Sequence, residues 1–133
     1  MSSSYQIKLY DIVIGHSDLE TYDPPNGLVS GVITFQGIES GYDFLSAYCK
    51  ETEAQINADI DELKFIEAES IRGLNVTDLQ DQPVNAEKIT IRGLDSGTFE
   101  IELTEIPLNE YQQQFPHYVE AYEKLFTLKL SNN

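Results

Sequence analysis

From Thr98 to Ile106 the chain reads Thr-Phe-Glu-Ile-Glu-Leu-Thr-Glu-Ile, setting Phe99, Ile101 and Leu103 against Glu100 and Glu102. A two-residue period puts the apolar set on one face of a pleated strand and the carboxylates on the other. One face must be covered while the other meets water, the condition of a strand in an antiparallel sheet. Asp95-Ser96-Gly97 supplies a hairpin turn before this run, which is expected to continue as one strand to Ile106, and Pro107 ends it. Any fold of this chain has to seat that strand beside others of its kind.

Several other segments meet the same test. Tyr5, Ile7 and Leu9 alternate with Gln6, Lys8 and Tyr10. Ile12-Val13-Ile14 follows Asp11 so closely that the chain either turns there or passes through a bulge. Leu28–Phe35 reads as a strand in which Gly31 marks a bulge or a close approach of backbone. Residues 15–27 are expected to form an exposed loop, with Pro24 held extended by Pro25 and with Asn26-Gly27 tolerating positive φ. Ser70-Ile71-Arg72-Gly73-Leu74-Asn75 and Thr90-Ile91-Arg92-Gly93-Leu94-Asp95 are near copies, expected as equivalent strands of one meander.

Two helices are predicted. Ser40 stands three residues before Asp43, the spacing at which a side chain caps a helix start. Leu45, Cys49, Thr52, Ile56, Ile60 and Leu63 then recur every three or four residues, which predicts a long helix across 41–64, continuous or broken near Asn57. A second helix is predicted from Pro116, burying Tyr118, Val119, Tyr122, Leu125 and Phe126, and Thr127–Leu130 either extends it or forms a last strand. The expectation is a single α+β domain over residues 1–133 with 1–4 and 131–133 frayed. Its mainly antiparallel sheet would have about five to six strands, N-terminal strands plus a C-terminal meander, packed against the long helix and the shorter C-terminal one.

At 133 residues the chain is long enough to close one hydrophobic core, and the lone Cys49 offers no internal disulfide. Met1–Lys8 lacks the basic start and apolar run of a secretory leader, and no stretch nears the roughly 18 apolar residues that span a bilayer. A cytoplasmic protein is expected.

Twenty-three carboxylates against eight basic residues leave a formal net charge of −15, in a chain whose 41% hydrophobic content is that of a folded protein. Nucleic acid and anionic membrane are disfavoured as partners, because each phosphate would be met against that field. A basic protein partner is favoured, its approach speeded by about ten- to a thousandfold at low salt. The competing reading is that acidity only keeps the chain dispersed.

The sequence forms no recognisable centre of catalysis. His16-Ser17-Asp18 holds the residue types of a hydrolase triad, but three neighbours cannot converge in that geometry, and a Gly-x-Ser-x-Gly elbow is absent. Cys49 lies on the apolar stripe and reads as core. Asp59-x-Asp61-Glu62 and Asp78-x-x-Asp81 crowd carboxylates without the glycine and terminal glutamate of a calcium loop. His16, His117 and Cys49 make no zinc pattern, and the glycines fall in no nucleotide-binding spacing. Asn75-Val76-Thr77 matches a glycosylation acceptor without the secretory context it needs. No catalytic residue, metal or cofactor is expected.

Two segments point instead to a partner. Residues 51–69 hold Glu51, Glu53, Asp59, Asp61, Glu62, Glu67 and Glu69 against Lys64 alone. On a helix they would project a concentrated negative surface, or simply supply the polar face that an amphipathic helix needs. The 15–27 loop sets Tyr22 among Asp18, Glu20 and Asp23, an aromatic anchor with carboxylates to steer, or else tucks Leu19 and Tyr22 onto the core. The leading expectation is a non-catalytic acidic protein-interaction module with the general profile of an immunity or inhibitor protein. It would occlude the cationic cleft of a basic partner such as a nuclease toxin, through Asp18, Glu20, Tyr22, Asp23, Glu51, Glu53, Asp59, Asp61 and Glu62. The alternative is a structural or assembly subunit that homo-oligomerises through a sheet edge or an apolar face.

Overall fold

The computed structural model describes residues 4–131, with side chains through Leu125. The alternating segments become nine strands: β1 (Tyr5–Leu9), β2 (Ile12–Ser17), β3 (Thr21–Asp23), β4 (Leu28–Phe35), β5 (Gln55–Ile60), β6 (Phe65–Glu69), β7 (Leu74–Thr77), β8 (Lys88–Leu94) and β9 (Phe99–Thr104). They pair antiparallel in the order β5-β6-β8-β9-β4-β2-β1-β7, with β3 beside β4. Three helices, α1 (Gly41–Glu51), α2 (Leu108–Gln114) and α3 (Pro116–Ser131), complete an α+β fold.

The hairpin of β8 and β9 shows how the pattern is used. Ile91 lies opposite Ile101 on the covered face, while Arg92 faces Glu100 and Thr90 faces Glu102 on the other. The strand expected to reach Ile106 stops at Thr104, because Glu105 takes a left-handed φ of 57°. That residue rotates the chain so that Ile106 is buried and its N–H donates to the Gly27 carbonyl at 3.1 Å. Gly31 is a point of close approach: a Cβ there would lie 2.8 Å from the Cα of Leu19 and closer still to the side chains of Ser17 and Glu20. At Asp11 the chain turns tightly, through Tyr10-Asp11, and the one register shift of this hairpin lies away from the turn, between Ile7 and Lys8.

The expected strand count is too low for three reasons. Residues 15–27 are not an open loop, since Thr21–Asp23 form β3 against β4. The near copies are not equivalent: Thr90–Leu94 is central strand, whereas Ser70 (φ 55°) and Gly73 (φ 80°) turn the first copy away, so that Leu74 starts β7 at the far edge beside β1. The third reason is the main correction. The helix predicted across 41–64 ends at Glu51, and β5 follows. Ile56 and Ile60 are four apart, an interval that suits one helical turn and two strand repeats equally.

Local chemistry sets both ends of α1. Ser40 Oγ accepts the Asp43 N–H at 3.0 Å, as the spacing predicted, and the Asp95 carboxylate accepts the Tyr42 N–H at 3.0 Å. At the other end Glu53 is left-handed (φ 59°) and the Ala54 N–H donates to the Cys49 carbonyl at 2.9 Å. That is a Schellman ending with glutamate where glycine is usual.

Asp59 then latches β5 to α1. Its carboxylate accepts the hydroxyls of Tyr42 and Ser46 and lies 3.3 Å from Lys50 Nζ. The Tyr42 hydrogen bond, helped by Ser46 and Lys50, holds the Asp59 pKa below its ordinary value. A carboxylate whose folded pKa is depressed stabilises the fold above its unfolded pKa, near 3.9, and loses that contribution as pH falls through the folded value. Asp59→Asn is therefore expected to cost about 1–3 kcal/mol near neutral pH. In urea denaturation the gap between the two proteins should narrow as the pH is lowered from about 6 to below 4. A gap independent of pH would mean that the ionised latch contributes nothing.

The opposite end of the core is aromatic. α2, which no sequence pattern announced, buries Tyr111 fully and sends its hydroxyl to the Leu28 carbonyl at 2.9 Å. Phe115 follows it into the core, and Pro116 opens α3. Tyr118 stacks on Tyr22 with ring centroids 4.4 Å apart and donates its hydroxyl to the Leu19 carbonyl. The buried face expected of this helix is only partly formed. Tyr118 and Val119 are half-buried, but Tyr122 and Leu125 are 39% and 62% exposed, and the side chain of Phe126 lies outside the described residues. Thr127–Leu130 extends the helix. Of the ends expected to fray, Ser4 precedes β1 and Ser131 closes α3, and the remainder lie outside the described residues. Among the described residues no helix is long and apolar enough to cross a membrane.

Candidate functional site

The nine residues expected to meet a partner lie on several different elements. Tyr22 is stacked on Tyr118, and Glu20 Oε1 accepts the Val32 N–H at 3.1 Å, so both hold the β3 region together. Asp23 accepts from the Asn26 side chain at 2.7 Å, while Asp18 is exposed nearby. Glu51 and Glu53 lie at the C-terminal end of α1, before β5. Asp61 and Glu62 form the turn after β5, where Lys64 lies 3.3 Å from Asp61. Asp59 is the latch already described. The helix that was to align these acids does not exist, so the concentrated helical surface does not exist either.

The other candidates resolve as structure. Ser17 is buried and its Oγ accepts the Leu19 N–H, whereas His16, its strand neighbour, points to the opposite, exposed side. Cys49 is fully buried, and burial pushes its thiol up to about 11. Asp78 Oδ1 accepts the N–H groups of Gln80 and Gln82, and Asp81 pairs with Lys8 at 3.0 Å. Asn75 donates to the carbonyls of Tyr10 and Gly73 at 3.0 and 2.9 Å, so the glycosylation-like asparagine is engaged at home. Among the described residues no three metal-ligating side chains come together.

On the sheet face that no helix covers, carboxylates are partly neutralised. Arg92 lies 3.2 Å from Glu102 and 3.9 Å from Glu67, and Lys88 lies 3.0 Å from Glu69. Eight of the 23 carboxylates form ion pairs among the described residues, which leaves most of the negative charge uncompensated.

One cleft contrasts with this polar surface. The turn of β1 and β2, the 36–38 segment and the flank of α1 enclose ≈ 380 Å³, walled by Tyr10, Ile12, Val13, Ile38, Phe44 and Tyr48. That lies at the small end of the range for ligand clefts, about 300–1,000 Å³. Phe44 and Tyr48 are one helical turn apart and stack at 6.1 Å on the side of α1, while Leu45 and Cys49 face the core. The Tyr48 hydroxyl donates to the Arg72 carbonyl at 2.6 Å, which fixes the ring; burial, then the neighbouring Tyr10, raise its pKa.

Across from it, Tyr10 is left-handed (φ 56°) and its N–H donates to the Gly73 carbonyl at 2.8 Å. Its ring lies so close over Gly73 that a Cβ there would come within 2.5 Å of it. The turn is thus clamped open, with Tyr10 59% and Ile12 70% exposed. Asp11 between them, Glu39 next to Ile38, and Glu51 three residues beyond Tyr48 are exposed, and none has an ion pair among the described residues. The signal in the sequence was the Phe44–Tyr48 pair beside the inward stripe, together with two large apolar residues flanking a single aspartate.

The fold and cleft define an antiparallel α+β domain with an acid-flanked apolar cleft. In comparisons with protein-family models, curated proteins and solved structures, none matched this chain.

Proposed function

We propose that this chain is a non-catalytic binding protein for a basic partner, acting in the cytoplasm. The cleft between the β1–β2 turn and α1 receives an apolar side chain of the partner, and the surrounding carboxylates hold basic residues beside it. The observation that carries this reading is the exposed pair Tyr10 and Ile12 at the cleft, with the exposed Asp11 between them and the exposed Glu39 and Glu51 close in sequence to the cleft residues Ile38 and Tyr48, on a chain of net charge −15. Interfaces concentrate their energy in a few aromatic or apolar anchors within a polar rim, and opposite charge speeds the encounter. An immunity or inhibitor protein would use such a surface to occlude the cationic cleft of an enzyme such as a nuclease toxin.

Assembly through a sheet edge is less well supported. The outer strand β5 carries a bulge between Ile56 and Ala58, and β7 is flanked by Val84, whose N–H donates to the Val76 carbonyl at 2.9 Å. Both are features that discourage an added strand.

The test is capture from extract of the source organism at low salt. The tagged chain is expected to retain one basic protein in near-equal amount and to release it as salt rises. Ile12→Asp, folded as judged by circular dichroism, is expected to retain far less. Retention of nothing specific, or equal retention by the variant, would sink the reading.

A further inference from the structure

A second cleft opens where β7, the 83–87 segment, the start of β8 and α2 meet. It encloses ≈ 380 Å³ and shares no residue with the cleft of the β1–β2 turn. Leu74, Val76, Val84 and Ile89 give it apolar walls, and the two charged residues on it, Glu87 and Glu110, are both acids. Neither forms an ion pair among the described residues. A smaller space of ≈ 220 Å³ adjoins it and includes Lys88, but the Lys88 ammonium is held by Glu69 at 3.0 Å.

Glu110 is short of donors. Its Oε1 accepts the Asn85 amide at 3.2 Å, the long end of the range for such a bond, and its Oε2 is buried with no hydrogen-bond partner. A glutamate at the third position of a helix ordinarily reaches back to the N–H of the capping residue. Here the cap is Pro107, which has no N–H to give. A carboxylate oxygen withdrawn from water without a donor is costly, so the site favours whatever supplies one. The backbone that carries Glu110 is firmly held. Tyr111 beside it is fully buried, and Gln114 one turn on donates to the Pro83 carbonyl at 2.9 Å.

We propose that this cleft binds a small primary amine, with an alkyl or aryl body on the apolar wall and the ammonium against Glu110. An ammonium brings three donors and a charge opposite to the carboxylate, and charge-assisted hydrogen bonds are roughly twice as strong as neutral ones. It therefore displaces the long bond from Asn85. The terminal torsion of glutamate is broad, so a modest turn presents either oxygen to the ligand. Glu87 adds a second attraction, and the acidic chain as a whole raises the local concentration of cations. A neutral ligand of the same shape lacks all three gains, and an anion is repelled.

Amide NMR of the full chain at neutral pH and about 0.1 M salt, titrated with hexylamine hydrochloride and separately with hexanol, tests it. Hexylamine is expected to move the amides of residues 74–76 and 84–87 saturably, and hexanol to bind at least about tenfold more weakly. Glu110→Gln keeps the shape and removes the charge, and should lower hexylamine affinity to about that of hexanol. Glu53→Gln removes the same charge outside the cleft and should leave it unchanged. Asn85→Ala, at an exposed residue, removes the competing donor and should bind hexylamine at least as tightly as the native chain. No saturable shift, equal affinity for the two probes, or equal weakening by Glu110→Gln and Glu53→Gln overturns the proposal. The native chain and Asn85→Ala carry the comparison of the probes even where Glu110→Gln fails to fold. None of these outcomes bears on the cleft proposed for a basic partner, so each reading can fail alone.

Discussion

Phe115→Ala is expected to remove about 3–5 kcal/mol of folding stability, against a typical total of about 5–15 kcal/mol for a natural domain. Phe115 is fully buried and its ring centroid lies 5.6 Å from Tyr5, 5.3 Å from Tyr111 and 5.6 Å from Tyr118. Its N–H closes α2 on the Tyr111 carbonyl, and Pro116 opens α3 next to it. The ring is therefore where β1, α2 and α3 meet, and through Tyr118 it supports Tyr22 and the Leu19 carbonyl. Tyr5, Tyr111 and Tyr118 are stiff rings, and the Tyr111 and Tyr118 hydroxyls are tied to backbone carbonyls, so they cannot collapse into the space a methyl leaves. Urea denaturation should show the loss as a lowered midpoint with an unchanged slope. A loss below about 1 kcal/mol would mean that the aromatic end of the core relaxes freely.

How far the sequence disclosed this fold depended on whether the local pattern had one reading. The alternation of β9 and of β4 had one: β4 spans the residues expected of it, and β9 does so up to Thr104, two residues short of the expected end. The cap at Ser40 and the hairpin at Asp95-Ser96-Gly97 were likewise set by chemistry within a few residues. The end of α1 was not. Its left-handed closing residue is Glu53, and Tyr10, Leu19, Lys64, Ser70, Asp81 and Glu105 also take positive φ. Glycine or asparagine would have announced those turns; here tertiary contacts hold ordinary residues in a conformation that their own preferences oppose. Ile56 and Ile60 then allowed the helical period to run on through a strand. The candidate site failed for a related reason. Net charge is a sum over residues and survives any folding error, but its placement does not. The acids of 51–69 were scattered once the helix carrying them dissolved into α1, β5 and β6. The cleft is assembled from the 10–14, 36–38 and 44–48 segments, none of which carries the signal alone.

The cleft reading makes a kinetic prediction that net charge alone does not. Once a partner is in hand, Ile12→Asp should act on dissociation, because an anchor seated in the cleft contributes after encounter. A loss of about 2 kcal/mol or more is expected, roughly thirtyfold in Kd, most of it in the off-rate. Replacing Asp11, Glu39 and Glu51 together by lysine should act on association, slowing it about tenfold or more at low salt and hardly at all at high salt. The decisive comparison is a second triple variant, with Glu53, Asp61 and Glu62 replaced by lysine. It changes the net charge by the same amount, yet Asp11, Glu39 and Glu51 each stand within three residues of one that lines the cleft, whereas Glu53, Asp61 and Glu62 stand farther along the chain. If steering is local, the first triple slows association more than the second, since the field that guides an encounter is that of the charges nearest the docking point. Equal slowing would make the acidity a property of the whole surface, and an unchanged off-rate in Ile12→Asp would then leave the cleft with no part in binding.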